Sequence, residues 1–324
     1  RRPTDFTTPL HVLAQRCESP SEEVWRLVRH LMAAGMDINI RNRANLPVLF
    51  YTSLHSYAGT QDMFLQLGCK LDFQHLTTYA TDCEASERYT DMFAAMKLVA
   101  MYCEEMSEDQ RNLFSVASKN RIKALRDQLF ILQDNQVDAS DPILYQAREE
   151  IKTLAVETGH IVDLIVTRID ARGGETLEAL ADKAFFYKMK ADYRRWGFLN
   201  SCDNPPPEQM DMVGKLYQTA ISVALPATSP VKLGSILNYT VFLWENTRQR
   251  KLAMKVAQRA FNDAILELDQ MDGDAYQDTT QIMQLIRDNL TLWHSEIANG
   301  PEDLEEVPEE RAADDLEVDP DWDS

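Results

Sequence analysis

Apolar residues recur every three or four positions along most of this chain. Met92, Ala95, Met96 and Val99 share a stripe, as do Leu113, Val116 and Ala117, then Ile161, Leu164 and Ile165. The pattern continues through Val256, Ala260, Ala264 and Leu268, and through Ile282, Leu285 and Leu292. This spacing places one apolar face along each helix, and strand signals are absent. Breakers divide the run at Ser140-Asp141-Pro142, Gly173-Gly174, Asn204 with Pro205 to Pro207, Ser229-Pro230 and Asp272-Gly273. Between Phe73 and Ala298 these signals predict eight or nine helices. Most run antiparallel to their neighbours, because the connections are short. The expected class is all-α.

The N-terminal residues carry a second periodicity. Val24, Leu27, Val28, Leu31 and Met32 precede Gly35, and Met63, Phe64, Leu65 and Leu67 precede Gly68, 33 positions further on. Ahead of the first set stands Thr8-Pro9-Leu10-His11-Val12-Leu13-Ala14. Residues from about 4 to 72 therefore resemble ankyrin repeats, whose period and opening motif these match. Thr8 is placed to cap the first helix, Pro9 to begin it, and Gly35 to end the second in a left-handed conformation. The second copy, Leu46 to Tyr51, keeps Pro47 and the apolar pattern but lacks the Thr and His. Cys17 to Glu23 reads as an insertion within the first copy. His11 is expected to hydrogen-bond within the repeat rather than to catalyse. Two repeats rarely bury their own faces, so they are expected to pack on the helices beyond residue 72 or on repeats preceding Arg1.

Charge separates a third region. The net charge is -19 over 324 residues, and residues 299–324 form an acidic tail with Pro301, Pro308 and Pro320. From Pro301 to Ser324 twelve acidic residues face one Arg, leaving about -8 on the body. The tail lacks an apolar periodic face and is expected to be disordered, acting as a solubilising segment or as an internal competitor for a basic groove. An acidic body disfavours nucleic acid. The five cysteines show no paired or metal-binding spacing, so reduced cytoplasmic thiols are expected. No apolar run reaches membrane-spanning length, and no signal peptide precedes the repeats. Nucleophile–base arrangements, Gly-rich phosphate loops and metal clusters are missing, which argues against an enzyme and implies no cofactor.

Polar residues interrupt several helical stripes in a pattern that points to chemistry. Lys188, Asp192 and Arg195 fall at i, i+4 and i+7, a face suited to an oxyanion, with the carboxylate holding the guanidinium. Lys119 and Arg126 share another face. Leu237, Asn238, Val241 and Glu245 form a mixed stripe, as do Leu285, Asn289, Leu292 and Trp293. An Asn central to an apolar stripe needs hydrogen-bond partners, which an extended peptide backbone supplies.

From about Glu84 to Ala298 these residues sit in blocks that resemble the 14-3-3 family. The blocks are Glu87-Arg88-Tyr89, Arg111 to Asn120, Phe186 to Tyr193, Leu233 to Phe242, Ala260 to Asp269 and Gln284 to Trp293. The resemblance implies a nine-helix bundle over residues 73–298, with a concave groove that binds phosphoserine or phosphothreonine peptides. It assigns Lys119, Arg126 and Arg195 to the phosphate, Asp192 to orienting the cations, and Lys188 to ligand contact. Asn238 and Asn289 would bond the peptide backbone. Leu237, Val241, Leu285, Leu292 and Trp293 would line the apolar wall, with Glu245 a polar contact.

Two departures modify that expectation. Trp196 stands where the family has a phosphate-binding Tyr, so phosphopeptide affinity is expected to be weakened. The family dimerises through its first four helices. Here Asp82 replaces an apolar residue, Ala147 the usual Tyr, and Leu154 and Glu150 the ionic partners of Arg88 and Asp91. The usual dimer is expected to be weak or absent, with the ankyrin-like segment covering that surface. The competing expectation is a scaffold that binds partners independently of phosphorylation.

Overall fold

A computed structural model describes residues 8–138, 141–173, 175–199, 205–269 and 273–299. The acidic tail and Cys202 lie outside the described residues, as do several of the sequence breakers. The regular structure among the described residues is helical, apart from an isolated bridge between Arg41 and Pro47. Four helices precede residue 73: α1 (Pro9–Arg16), α2 (Glu22–Ala33), α3 (Val48–Leu54) and α4 (Ala58–Gln66). Nine more occur among the described residues: α5 (Phe73–Ala85), α6 (Tyr89–Tyr102), α7 (Glu108–Asp134), α8 (Pro142–Ala171) and α9 (Leu177–Arg194), then α10 (Pro207–Ser222), α11 (Pro230–Glu245), α12 (Arg250–Leu268) and α13 (Gly273–Asn299). A π-helical turn, Arg195–Leu199, extends α9. The chain forms two compact units divided between Arg172 and Gly173, so α1–α4 share a unit with α5–α8. No described helix is long and apolar enough to cross a membrane. No group of metal-binding side chains occurs among the described residues, and Cys17, Cys69, Cys83 and Cys103 are free thiols.

In the first unit the helix ends reflect local chemistry. Pro9 opens α1, and Gly35 and Gly68 end α2 and α4 at φ of +95° and +92°, a region open to residues without a Cβ. Thr8 does not cap α1 as the sequence suggests. Its hydroxyl donates instead to His11 Nδ1 at 2.8 Å, and His11 Nε2 donates to the Leu46 carbonyl at 3.2 Å. The acceptor-only carbonyl fixes this tautomer, and the fully buried imidazole ties α1 to the strand-like turn before α3.

The helix α6 is buried all round: every residue from Met92 to Ala100 is inaccessible or nearly so. Such a helix needs neighbours on every side. It packs on α5, α7 and α8, and on α3 from the N-terminal segment. The Ser53 hydroxyl donates to the Ala94 carbonyl at 2.7 Å, and the Gln61 amide to the Tyr102 hydroxyl at 2.7 Å. Lys97 is the one cation inside this run. Its Nζ reaches Glu157 Oε1 at 2.6 Å and Ser56 Oγ at 3.0 Å, which offsets the cost of burying an ammonium. At the C-terminus of α6, the Arg168 guanidinium bonds the Ala100, Met101 and Cys103 carbonyls, acceptors that no helical N–H reaches.

The N-terminal segment covers part of the surface of α5–α8, the first four helices after residue 72. The segment packs on α6 and meets α8 through Glu157, while Asp82 and Arg88 stay exposed.

The second unit has one core. Val213 and Tyr217 from α10, Leu233, Ile236, Tyr239 and Phe242 from α11, and Ile286 and Trp293 from α13 meet there. Along α12 the buried face is Ala253, Ala257, Ala260 and Ala264, small residues that let α11 and α13 approach. Trp244 stacks on Trp293 with centroids 4.7 Å apart and planes 11° apart, an offset pair that contributes about 1 kcal/mol beyond its buried area.

Candidate functional site

The site begins with the helix α9. Thr176 caps it by accepting from the Ala179 N–H, and Lys188 and Asp192 lie one turn apart near its end. Lys188 Nζ donates to Asp192 Oδ2 at 2.9 Å. Asp192 is only 5% exposed, and a buried carboxylate requires several donors. The Tyr217 hydroxyl from α10 donates to Oδ1 at 2.6 Å. The Asn238 amide from α11 lies 2.8 Å from Oδ1 and 3.0 Å from Oδ2. Three helices thus converge on one carboxylate. Its demand for donors fixes the Asn238 amide, leaving that side chain's oxygen as an acceptor for a ligand N–H.

Tyr217 is the member that sequence reasoning missed. Its ring is fully buried against Tyr239 and Phe242, and it reads as a core aromatic at helical spacing. Burial first, and then the Asp192 charge, push its hydroxyl pKa well above 10, so it remains a donor. Nothing in the spacing between Asp192 and Tyr217 signals the contact.

Arg195 occupies the start of the π-helical turn, where its N–H still closes the end of α9 on the Ala191 and Asp192 carbonyls. π-turns inside helices often mark functional positions, because they re-aim one side chain. Arg194 goes elsewhere: its Nε donates to Gln209 at 3.1 Å and its guanidinium lies over Phe198. Arg195 is 9% exposed, and its Nε and Nη1 have no hydrogen-bond partner among the described residues. The expected grip of Asp192 on this guanidinium is therefore corrected. Asp192 is taken up by Lys188, Tyr217 and Asn238, and no ion pair joins it to Arg195 among the described residues.

Trp196 is half-buried, with its ring 5.4 Å from that of Tyr193 and tilted by 58°. On α11, Leu237 and Val241 are partly buried against the core, and Glu245 is exposed. On α13, Leu285 and Leu292 are exposed at 51% and 54%, large apolar side chains facing water one on each side of half-buried Asn289. Trp293 differs from these neighbours: it is 4% exposed and belongs to the core through Trp244. Lys119 and Arg126 lie on α7 in the first unit, both exposed, while Ile122, Leu125 and Leu129 fill the opposite face. A capping box of Ser107 and Gln110 starts α7.

The structure thus brings together Lys188, Asp192, Asn238 and Tyr217, with Arg195 close enough for its charge to act on Tyr217. The arrangement suits an anion with several acceptor oxygens: one buried guanidinium, and beside it a carboxylate already neutralised.

Comparison with known proteins gives the same region. The family model described as "14-3-3 protein" matches residues 79–294. Similar proteins include "14-3-3 protein I" of Plasmodium falciparum, 37% identical over 226 residues that span 66% of this chain and 86% of the relative. "14-3-3-like protein 1" of Caenorhabditis elegans is 35% identical over 74% of this chain and 97% of its own length. "Protein BMH2" of Saccharomyces cerevisiae is 37% identical over 68% and 84%. The family match begins within α5, so α1–α4 precede it.

Proposed function

Since this chain belongs to the 14-3-3 family, we propose that it is an adaptor that binds phosphoserine or phosphothreonine peptides and is not an enzyme. The observation that carries this reading is the Arg195 guanidinium. Its buried Nε and Nη1 have no hydrogen-bond partner among the described residues, which is costly, and a ligand that supplies oxygens removes that cost. A phosphoryl group brings about -1.5 to -2 charges and three acceptor oxygens, the chemistry a guanidinium fork matches. By family position Lys119, Arg126 and Arg195 are the cations assigned to the phosphate. Lys188, Asn238 and Asn289 bond the peptide, and Glu245 makes a polar contact. Leu237, Val241, Leu285 and Leu292 form the apolar wall, with Trp293 supporting it from the core.

Several further assignments belong to the same proposal. Residues from about 4 to 72 are two ankyrin-like repeats, supported by the paired helices, the left-handed Gly35 and Gly68, and the buried His11 link. The protein acts in the cytoplasm, uses no cofactor, and has no nucleic-acid or membrane partner. The family's usual dimer is weak or absent.

A peptide titration with and without the phosphate tests the main reading. Binding that disappears on dephosphorylation is expected. Trp196 favours the second reading, a phosphorylation-independent scaffold, because its ring packs toward Tyr193 where the family has a phosphate-binding hydroxyl. Equal affinity for both peptides would select the scaffold.

A further inference from the structure

We infer that Tyr217 is a positioning residue for this site: its hydroxyl holds the Asp192 carboxylate toward Lys188 and Asn238, and so keeps it from neutralising Arg195. The inference deepens the phosphopeptide reading and rests on it for its binding consequence.

Three observations carry it. Asp192 and Arg195 are three residues apart on one continuous helical path, a spacing at which a carboxylate and a guanidinium ordinarily pair. Arg195 keeps αR backbone angles, φ -57° and ψ -49°, so that geometry is available. Yet no ion pair joins them among the described residues. Asp192 instead accepts from Tyr217 at 2.6 Å, from Asn238 at 2.8 Å and from Lys188 at 2.9 Å. Of these donors, Lys188 and Asn238 are only half-buried and stand where a ligand can draw on them. Tyr217 is fully buried on the core side, out of a ligand's reach. Its hydroxyl is the one donor that stays on Asp192 whatever the groove holds. Without it, Oδ1 keeps only the shared Asn238 amide, and the carboxylate is free to turn to Arg195. The guanidinium would then meet an incoming phosphate already paired, and the phosphate would have to displace a carboxylate of the protein itself.

Tyr217→Phe keeps the ring packing on Tyr239 and Phe242 and removes only the donor. The test uses the full chain, a phosphoserine peptide and its unphosphorylated form, and four proteins: wild type, Tyr217→Phe, Asp192→Asn and the double variant. The Arg195 Nε–H resonance of 15N-labelled protein is followed in parallel, assigned by its loss in Arg195→Lys. Tyr217→Phe is expected to weaken the phosphopeptide about tenfold, the effect of one lost hydrogen bond to a charged group. In the Asp192→Asn background the same change is expected to cost less than about twofold, because the two act as one unit. The Arg195 resonance should move in Tyr217→Phe, as a carboxylate arrives, and return in the double variant. Equal losses in both backgrounds, or an Arg195 resonance that Tyr217→Phe leaves unmoved, would overturn the inference. If the wild type ignores phosphorylation, the phosphopeptide reading fails, and the resonance alone decides whether Tyr217 positions Asp192.

Discussion

At the scale of single residues, the balance of charge around Arg195 decides two outcomes. Replacing it with Met removes a buried cation whose Nε and Nη1 have no hydrogen-bond partner among the described residues, so folding should not suffer. Phosphopeptide affinity should fall about thirtyfold or more, the usual consequence of truncating one side of a buried charged contact. Calorimetric titration and a thermal melt of Arg195→Met check both; a melting point lowered by many degrees would make Arg195 a structural residue. The neighbouring position works in the opposite direction. Trp196→Tyr restores a hydroxyl beside the phosphate and should raise affinity about tenfold. An unchanged titration would remove Trp196 from the site. Lys188, Arg195 and Asn238 are legible in the sequence, because each breaks an otherwise apolar or regular stripe. Tyr217 is not legible, since a tyrosine on a core face looks the same whether its hydroxyl holds a carboxylate or nothing. The partner of Asp192 is hidden for a related reason. Spacing gives equal standing to Lys188 at i-4 and Arg195 at i+3, and only the donors from α10 and α11 break the tie.

At the scale of elements, α6 explains how the N-terminal helices attach. Its apolar run is visible as periodicity, but a stripe and a helix buried on every face differ by only a few residues in such a pattern. The surplus apolar residues, Phe93, Ala94, Leu98 and Ala100, are the ones that demand further neighbours, α3 among them. Lys97 marks the same junction. Its ammonium is 4% exposed and its partner Glu157 26%, and Ser56 bonds both, so the α3–α4 turn, α6 and α8 meet in one polar contact. Lys97→Met leaves Glu157 without its cation but keeps the aliphatic packing. The expected cost is about 2 kcal/mol, reduced from the fully buried case because Glu157 retains some solvent. Urea unfolding measures it. Lys97→Met/Glu157→Gln should recover part of the loss, since a neutral amide no longer needs a cation; a double variant no better than the single would assign Lys97 a packing role only.

At the scale of the whole molecule, periodicity and charge indicate three regions, while the division between Arg172 and Gly173 cannot be read from the sequence. That division depends on which helices share a core, and long helices joined by similar loops look alike in sequence. Self-association turns on the same question of shared cores. Ala147 and Leu154, at positions through which the family's subunits reach one another, are 3% and 6% exposed within a single chain and are spent on its own packing. Arg88 pairs with Asp91 and bonds the Tyr79 hydroxyl inside the same chain, and Glu150 is engaged by Gln146. Asp82 stays exposed where the family has an apolar contact. In a two-fold interface each of these losses occurs twice. Light scattering at micromolar concentration is therefore expected to return a mass near 37.1 kDa, that of one chain. Phe130, Ile131, Ile143 and Tyr145 are the large exposed apolar residues flanking the α7–α8 connection. A mass of two chains that reverts to one on Phe130→Asp would overturn the prediction and place the contact on that surface. A two-chain mass that Phe130→Asp leaves intact would overturn it as well, and would mean that the charged rim around Asp82 and Arg88 still joins subunits.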